Sequence, residues 1–73
     1  DFSNQNLIRA EFSNARLATS NFSGADLRGA VFSGSDLNHT NWHGVDFSDG
    51  IAYITDLSEA DLTDAVLTSA MMI

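Results

Sequence analysis

The chain has 73 residues, ten acidic and three basic, with a formal net charge of -7 and neither cysteine nor proline. That length allows one small domain, near the size at which an ordinary globular core becomes marginal, while 44% hydrophobic residues is too many for a disordered acidic chain. The absence of cysteine excludes a disulfide framework and a thiolate metal site, and no apolar run is long enough to span a bilayer, so packing and hydrogen bonds must hold the fold.

From its first residues the chain keeps a period of five. Phe2, Leu7, Phe12 and Leu17 open a series that continues through Phe22, Leu27, Phe32, Leu37, Trp42, Phe47, Ala52, Leu57, Leu62 and Leu67 to Met72, and every member is apolar. Two positions before most of these stands a small residue, as in Ala10, Ala15, Ser20, Ala25 and Ala30. A helix would scatter residues five apart around its whole circumference, at about 140° per step. A single strand would send them to alternate faces. A chain that turns a corner every five residues brings each large side chain to one axis, and such a solenoid buries each unit only by stacking on its neighbours.

The words "ADLRG" from Ala25, "SDLNH" from Ser35, "ADLTD" from Ala60 and "AVLTS" from Ala65 resemble the pentapeptide-repeat proteins, whose pattern is Ala-Asp/Asn-Leu-x-x. The resemblance covers essentially the whole chain, without insertion or deletion. It implies an all-β fold, a right-handed four-sided parallel β-helix of slightly under four coils, as a single domain over residues 1–73. Large and small residues of each unit would point inward and the other three outward.

With four units per coil, residues twenty apart stack, and the chain divides into coils. Residues 1–20 place Phe2, Leu7, Phe12 and Leu17 inside and the turn-forming Asn4 and Asn14 at corners. Residues 21–40 place Gly24, Gly29 and Gly34 at corners, which gives these glycines a turn duty in place of a phosphate loop. Up to Arg28 the charge balances, with Asp1, Glu11 and Asp26 against Arg9, Arg16 and Arg28. All the net charge lies beyond. Residues 41–60 hold Trp42, Val45 and Phe47 beside a small Ala52, which reads as compensating core volumes. Here "SDGIAYITDLS" breaks the surface pattern, and Ile54 occupies a corner where a β-branched residue resists positive φ; another turn type or a local bulge is expected. Residues 61–73 begin the next coil and end in "SAMMI".

The outward columns carry the candidate chemistry. Asp26 stacks with Asp46 with no cation in the column; Arg16 stacks with Asp36 and Asp56; Asp1, Asn21, Asn41 and Asp61 form a third column. These acidic columns are expected to be solvated faces with local hydrogen bonds, disfavouring nucleic acid and anionic membrane and favouring basic partners or solubility. His39 and His43 would need Asp36 or Asp46 to converge with them before they could hold a metal, and they are expected to be exposed corner residues. The regular serines, such as Ser3, Ser13, Ser23 and Ser33, fit turns, and a filled solenoid offers no pocket for a nucleophile. No enzyme activity, catalytic residue, cofactor or metal is expected.

On the third side the outer positions turn from polar to apolar along the stack, and Val31, Ile51, Tyr53, Ile54, Met71 and Ile73 form a candidate contact patch. A missing C-terminal cap, a protein partner or a homodimer would cover it. The expected function is therefore that of a non-enzymatic rigid scaffold or protein-binding module without membrane insertion. The family resemblance adds two implications. One is a thylakoid-lumen location, as in the cyanobacterial and plant members. The other is an alternative function, an acidic DNA mimic of the gyrase-protecting type, which a stack covering only about five base pairs of rise fits badly.

Overall fold

The computed structural model describes residues 1–73, and its organising element is a turn repeated every five residues. Ten non-glycine residues (Asn4, Arg9, Asn14, Thr19, His39, Asp49, Ile54, Glu59, Asp64 and Ser69) and four glycines (Gly24, Gly29, Gly34 and Gly44) have positive φ, each two places after a member of the inward apolar series. In nearly every complete unit the amide one place further donates to the carbonyl of the large residue, as from Ala25 to Phe22 at 2.9 Å and from Ala30 to Leu27 at 3.0 Å. Positive φ at the third residue of such a turn marks type II geometry.

Between turns the chain pairs with itself at a register of twenty. Parallel bridges join Asn6 to Asp26, Arg16 to Asp36, Asn21 to Asn41, Asp26 to Asp46 and Asp36 to Asp56. The amide of a large residue donates to the coil above, as from Phe22 to the Asn41 carbonyl (2.8 Å), and so does the corner amide, as from Gly24 to His43 (2.9 Å). The residue before the large one donates to the coil below, as from Asp26 to Gln5 at 3.0 Å. Most of the backbone is thus paired between coils. Regular strand is confined to two residues each in β1 (Ile51–Ala52) and β2 (Met71–Met72), which pair in parallel. Elsewhere the pairing is confined to single-residue parallel bridges. Extents of 22 × 22 × 18 Å match a stack of under four coils at a strand spacing of about 4.8 Å.

This register sorts the side chains. From Phe22 to Ala52 every large position and every small position two before it is buried, and no outward position is. Phe2 lies on Phe22 with centroids 5.0 Å apart and planes 9° apart, and Phe12 on Phe32 at 4.8 Å and 6°. Neighbouring faces meet edge to face, as Phe22 meets Phe32 at 5.7 Å and 89°. Toward the C-terminus Leu67 and Met72, though on the inward series, are 37% and 39% exposed because no coil lies over them.

Residues 41–60 contain the expected change in volume, and the geometry sharpens it. Trp42 tilts 49° away from Phe22 and meets Phe47 edge-on at 5.0 Å, ending the parallel stack. Its Nε1 is buried without a hydrogen-bond partner. The Phe47 ring fills the space that a side chain at Gly50 would take: a Cβ there would fall far inside van der Waals contact with Cε1, Cζ and Cδ1. Gly50 has no left-handed φ, so its smallness is steric in origin. Replacing Gly50 by Ala is therefore expected to cost about 1–3 kcal/mol of folding stability, as overpacking does. In urea denaturation Phe47→Leu in the same chain should recover most of that loss, and additive losses would contradict this account.

Candidate functional site

The outward columns are built by one recurring local bond. Wherever Asp or Asn precedes the large residue, its Oδ1 accepts the amide of the residue after the large one. This occurs at Asp1, Asn6, Asn21, Asp26, Asp36, Asn41, Asp46, Asp56 and Asp61, at 2.9–3.3 Å. That amide lies at the second residue of the turn and has no carbonyl partner among the coils. The acidic columns expected from sequence thus consist of turn braces.

The charges on these columns are more paired than the sequence reading held. Asp26 was expected to stack on Asp46 without a cation. The two are bridged as expected, but Arg28 reaches back across Leu27 and grips Asp26, Nε to Oδ1 at 2.9 Å and Nη2 to Oδ2 at 2.7 Å. Residues two apart in an extended segment lie on one side, so the pairing runs along the chain and not along the column. The side-chain hydrogen bond from Arg28 holds the Asp26 carboxyl below its ordinary range and raises the guanidinium. Asp56 and Asp61 are lowered mainly by hydrogen bonding from the side chains of Ser58 and Thr63, then by the amides of the same residues.

The histidines do not converge with Asp36 or Asp46. His39 Nε2 contacts Glu59 one coil above, and His43 Nε2 lies 4.0 Å from Asp64. Neither site gathers a third ligand. The ring of His39 also contacts Asn38, its neighbour in sequence. One shallow cavity of ≈ 350 Å³ lies between Ile8, Arg9, Arg28, Gly29 and Asp49, open to solvent and without a nucleophile.

The third face, carrying Phe12, Phe32, Ala52 and Met72 inside, departs from the others. Its braced position holds Glu11, Val31, Ile51 and Met71, so no Asp or Asn bond forms on it; Glu11 instead accepts the Ser13 hydroxyl at 2.8 Å. Val31, Ile51 and Met71 are bridged in one column. Of the six residues expected to form the patch, Ile51, Tyr53, Ile54, Met71 and Ile73 are exposed, and Val31 is half-buried beneath Ile51.

Ile54 overturns the expectation of another turn type. Its φ is 51°, in the same left-handed region as the glycines at other corners, although it is β-branched. The deviation falls one residue later: the turn at 53–54 is kept, but the Ala52 carbonyl accepts the Ile73 amide at 3.2 Å and not the Thr55 amide. The Thr55 hydroxyl instead donates to the Phe32 carbonyl in the coil below at 2.7 Å and to Tyr53 at 3.2 Å. Ser35, one coil lower, donates its hydroxyl to the Phe12 carbonyl in the same manner. A corner distorted in its hydrogen bonding, with Ile54 69% exposed at its tip, is the most unusual surface of the molecule.

The lowered carboxyls set an acid response. A group whose pKa is depressed on folding contributes stability that is complete above the ordinary carboxylate range and lost as pH falls through its folded value. Stability is therefore expected to decline as pH is taken from about 5 to about 3. Combining Asp26→Asn, Asp56→Asn and Asp61→Asn should flatten that decline, since Asn keeps the amide acceptor but not the charge. Denaturant titrations at each pH check this, and an unchanged slope would contradict it.

Comparison with known proteins agrees with the repeat geometry. A family model described as pentapeptide repeats matches in 8 copies over residues 1–34 and 25–50. Among solved structures the chain is similar to a pentapeptide repeat protein from the Arabidopsis thaliana thylakoid lumen, with 28% identity and a TM-score of 0.49. The match covers 99% of this chain and 57% of that one, so the chain spans little more than half the length of this relative. The search of curated proteins found no match. The chain belongs to the pentapeptide-repeat family.

Proposed function

We propose that the protein is a non-enzymatic, rigid binding module whose contact surface is the apolar third face, on coils wound as a right-handed four-sided β-helix. The observation that carries this is a contiguous group of exposed apolar side chains, Ile51, Tyr53, Ile54, Met71 and Ile73, on the one face stripped of its Asp/Asn braces. Scattered surface apolar residues need no explanation, but a contiguous group on a rigid face marks a contact. A stack with its backbone paired between coils presents such a group with little ordering cost.

Two features support reading the module as non-catalytic. The matching family model describes a repeat, and the titratable groups are spread along outward columns as turn braces or single pairs. The DNA-mimic alternative has less behind it, because Arg28 neutralises part of one acidic column and Arg16 heads another. A thylakoid-lumen location belongs to this proposal and rests on the family resemblance alone.

The test is site-specific photocrosslinking in native extract. A benzophenone side chain in place of Tyr53 is expected to give discrete adducts, while the same group in place of the exposed Thr63 on the first face gives none. Identical patterns from both positions, or no adduct from position 53, would contradict the assignment.

A further inference from the structure

The apolar part of the third face is bordered by carboxylates on both sides. Before it in the chain stands Asp49, separated from Ile51 only by the inward Gly50. After it stands Asp56, separated from Ile54 only by Thr55, whose hydroxyl is tied to the Phe32 carbonyl. Asp49 and Asp56 are both exposed, and hydrogen bonds from Ser58 favour the charged form of Asp56. Glu59 lies at the next corner beyond Asp56, against His39. No Lys or Arg follows Arg28 in the chain, and Arg28 is engaged by Asp26. The result is an apolar strip with a carboxylate on either side, in the part of the chain without Lys or Arg; the nearest cations along the two columns are Arg9, two coils below Asp49, and Arg16, two coils below Asp56.

The strip is also held at a cost. A β-branched residue in the left-handed region is strained, and the Ala52 carbonyl accepts the Ile73 amide at 3.2 Å in place of the Thr55 amide. Gly34 occupies the equivalent corner one coil below without such a cost.

We infer that the third face docks a basic amphipathic segment, its apolar stripe on Ile51, Tyr53 and Ile54 and its Lys or Arg side chains over Asp49 and Asp56. This names the partner class for the binding module proposed above and rests on that reading. A second copy would bring another charge of -7 against the same acidic part of the chain, and an anionic bilayer would meet the same repulsion. Charge rows flanking an apolar stripe set orientation and rate of docking, and the stripe supplies the affinity.

The probe is a synthetic Leu/Lys amphipathic helix of about 15 residues, long enough to span a 22 Å face at about 1.5 Å per residue. A Leu/Glu helix of the same length and anionic lipid vesicles serve as comparators, and binding is followed by NMR shifts of Ile51, Tyr53 and Ile54. The Leu/Lys helix is expected to bind at least about tenfold more tightly than the Leu/Glu helix and to weaken as salt rises. Asp49→Asn with Asp56→Asn should remove most of that preference. Ile54→Asn should weaken binding about tenfold with a thermal midpoint equal to or above that of the parent, because Asn tolerates positive φ. That outcome separates a lost contact from a lost fold. Shifts on the third face with equal affinity for both helices, or tighter binding of Leu/Glu, would overturn the basic-partner inference and leave the binding face standing. Binding to the vesicles in preference to the Leu/Lys helix would also overturn it. No shift on the third face with any probe would overturn the inference, while the crosslinking experiment decides independently whether the face has a partner.

Discussion

The structure depends on the parallel pairing of residues twenty apart. Large residues and corner residues donate their amides upward, the residue before each large one donates downward, and a turn recurs every five residues. A short unit cannot bury itself, so these bonds make the stack cooperative and leave each unit with fixed inward and outward positions. The rest follows from that sorting. Phenylalanines twenty apart must lie face to face, the residue beside a bulky ring must be small, and an outward Asp or Asn finds a turn amide two residues on.

The same constraint makes departures legible as physical costs. Gly50 answers Phe47, and the orphaned Nε1 of Trp42 accompanies the placement of an indole in a column of phenyl rings. Those are accommodations within the core. The departures on the third face are of another kind, because they lie outward: braces replaced by Val31, Ile51 and Met71, an Ala52 carbonyl bonded to Ile73 in place of Thr55, and a β-branched side chain at positive φ. The core gains nothing from an exposed Ile54. A surface that costs stability and returns none to the fold is where a binding function is most economically placed.

Much of this was open to reading from the amino-acid order. A period of five with apolar residues at each step excludes helix and strand alike, and the register of twenty then places Phe2 under Phe22 and Asp26 under Asp46. The rest required geometry that spacing does not contain. Arg28 pairing with Asp26 depends on a guanidinium folding back along its own strand segment, a contact within one unit that a register of twenty does not contain. The reason for Asp or Asn before each large residue was hidden because it lies in an amide bond within the unit, invisible to any count of charges. The side chain of Ile54 argues against positive φ, yet the backbone keeps the common φ, since bonds to the two neighbouring coils fix the corner more firmly than local propensity can.

The central claim is that the corner at 53–54 exchanges stability for contact. Gly34 and Ser33 show what the same place looks like one coil lower, where Tyr53 and Ile54 have no counterpart. The most direct measurement replaces Tyr53 by Ser and Ile54 by Gly together, and reads unfolding free energy and partner binding on the same sample. The account expects the chain to gain about 1 kcal/mol or at least hold its stability, from release of the strained φ, while binding falls by tenfold or more. A chain that loses stability and binds its partner as before would contradict it.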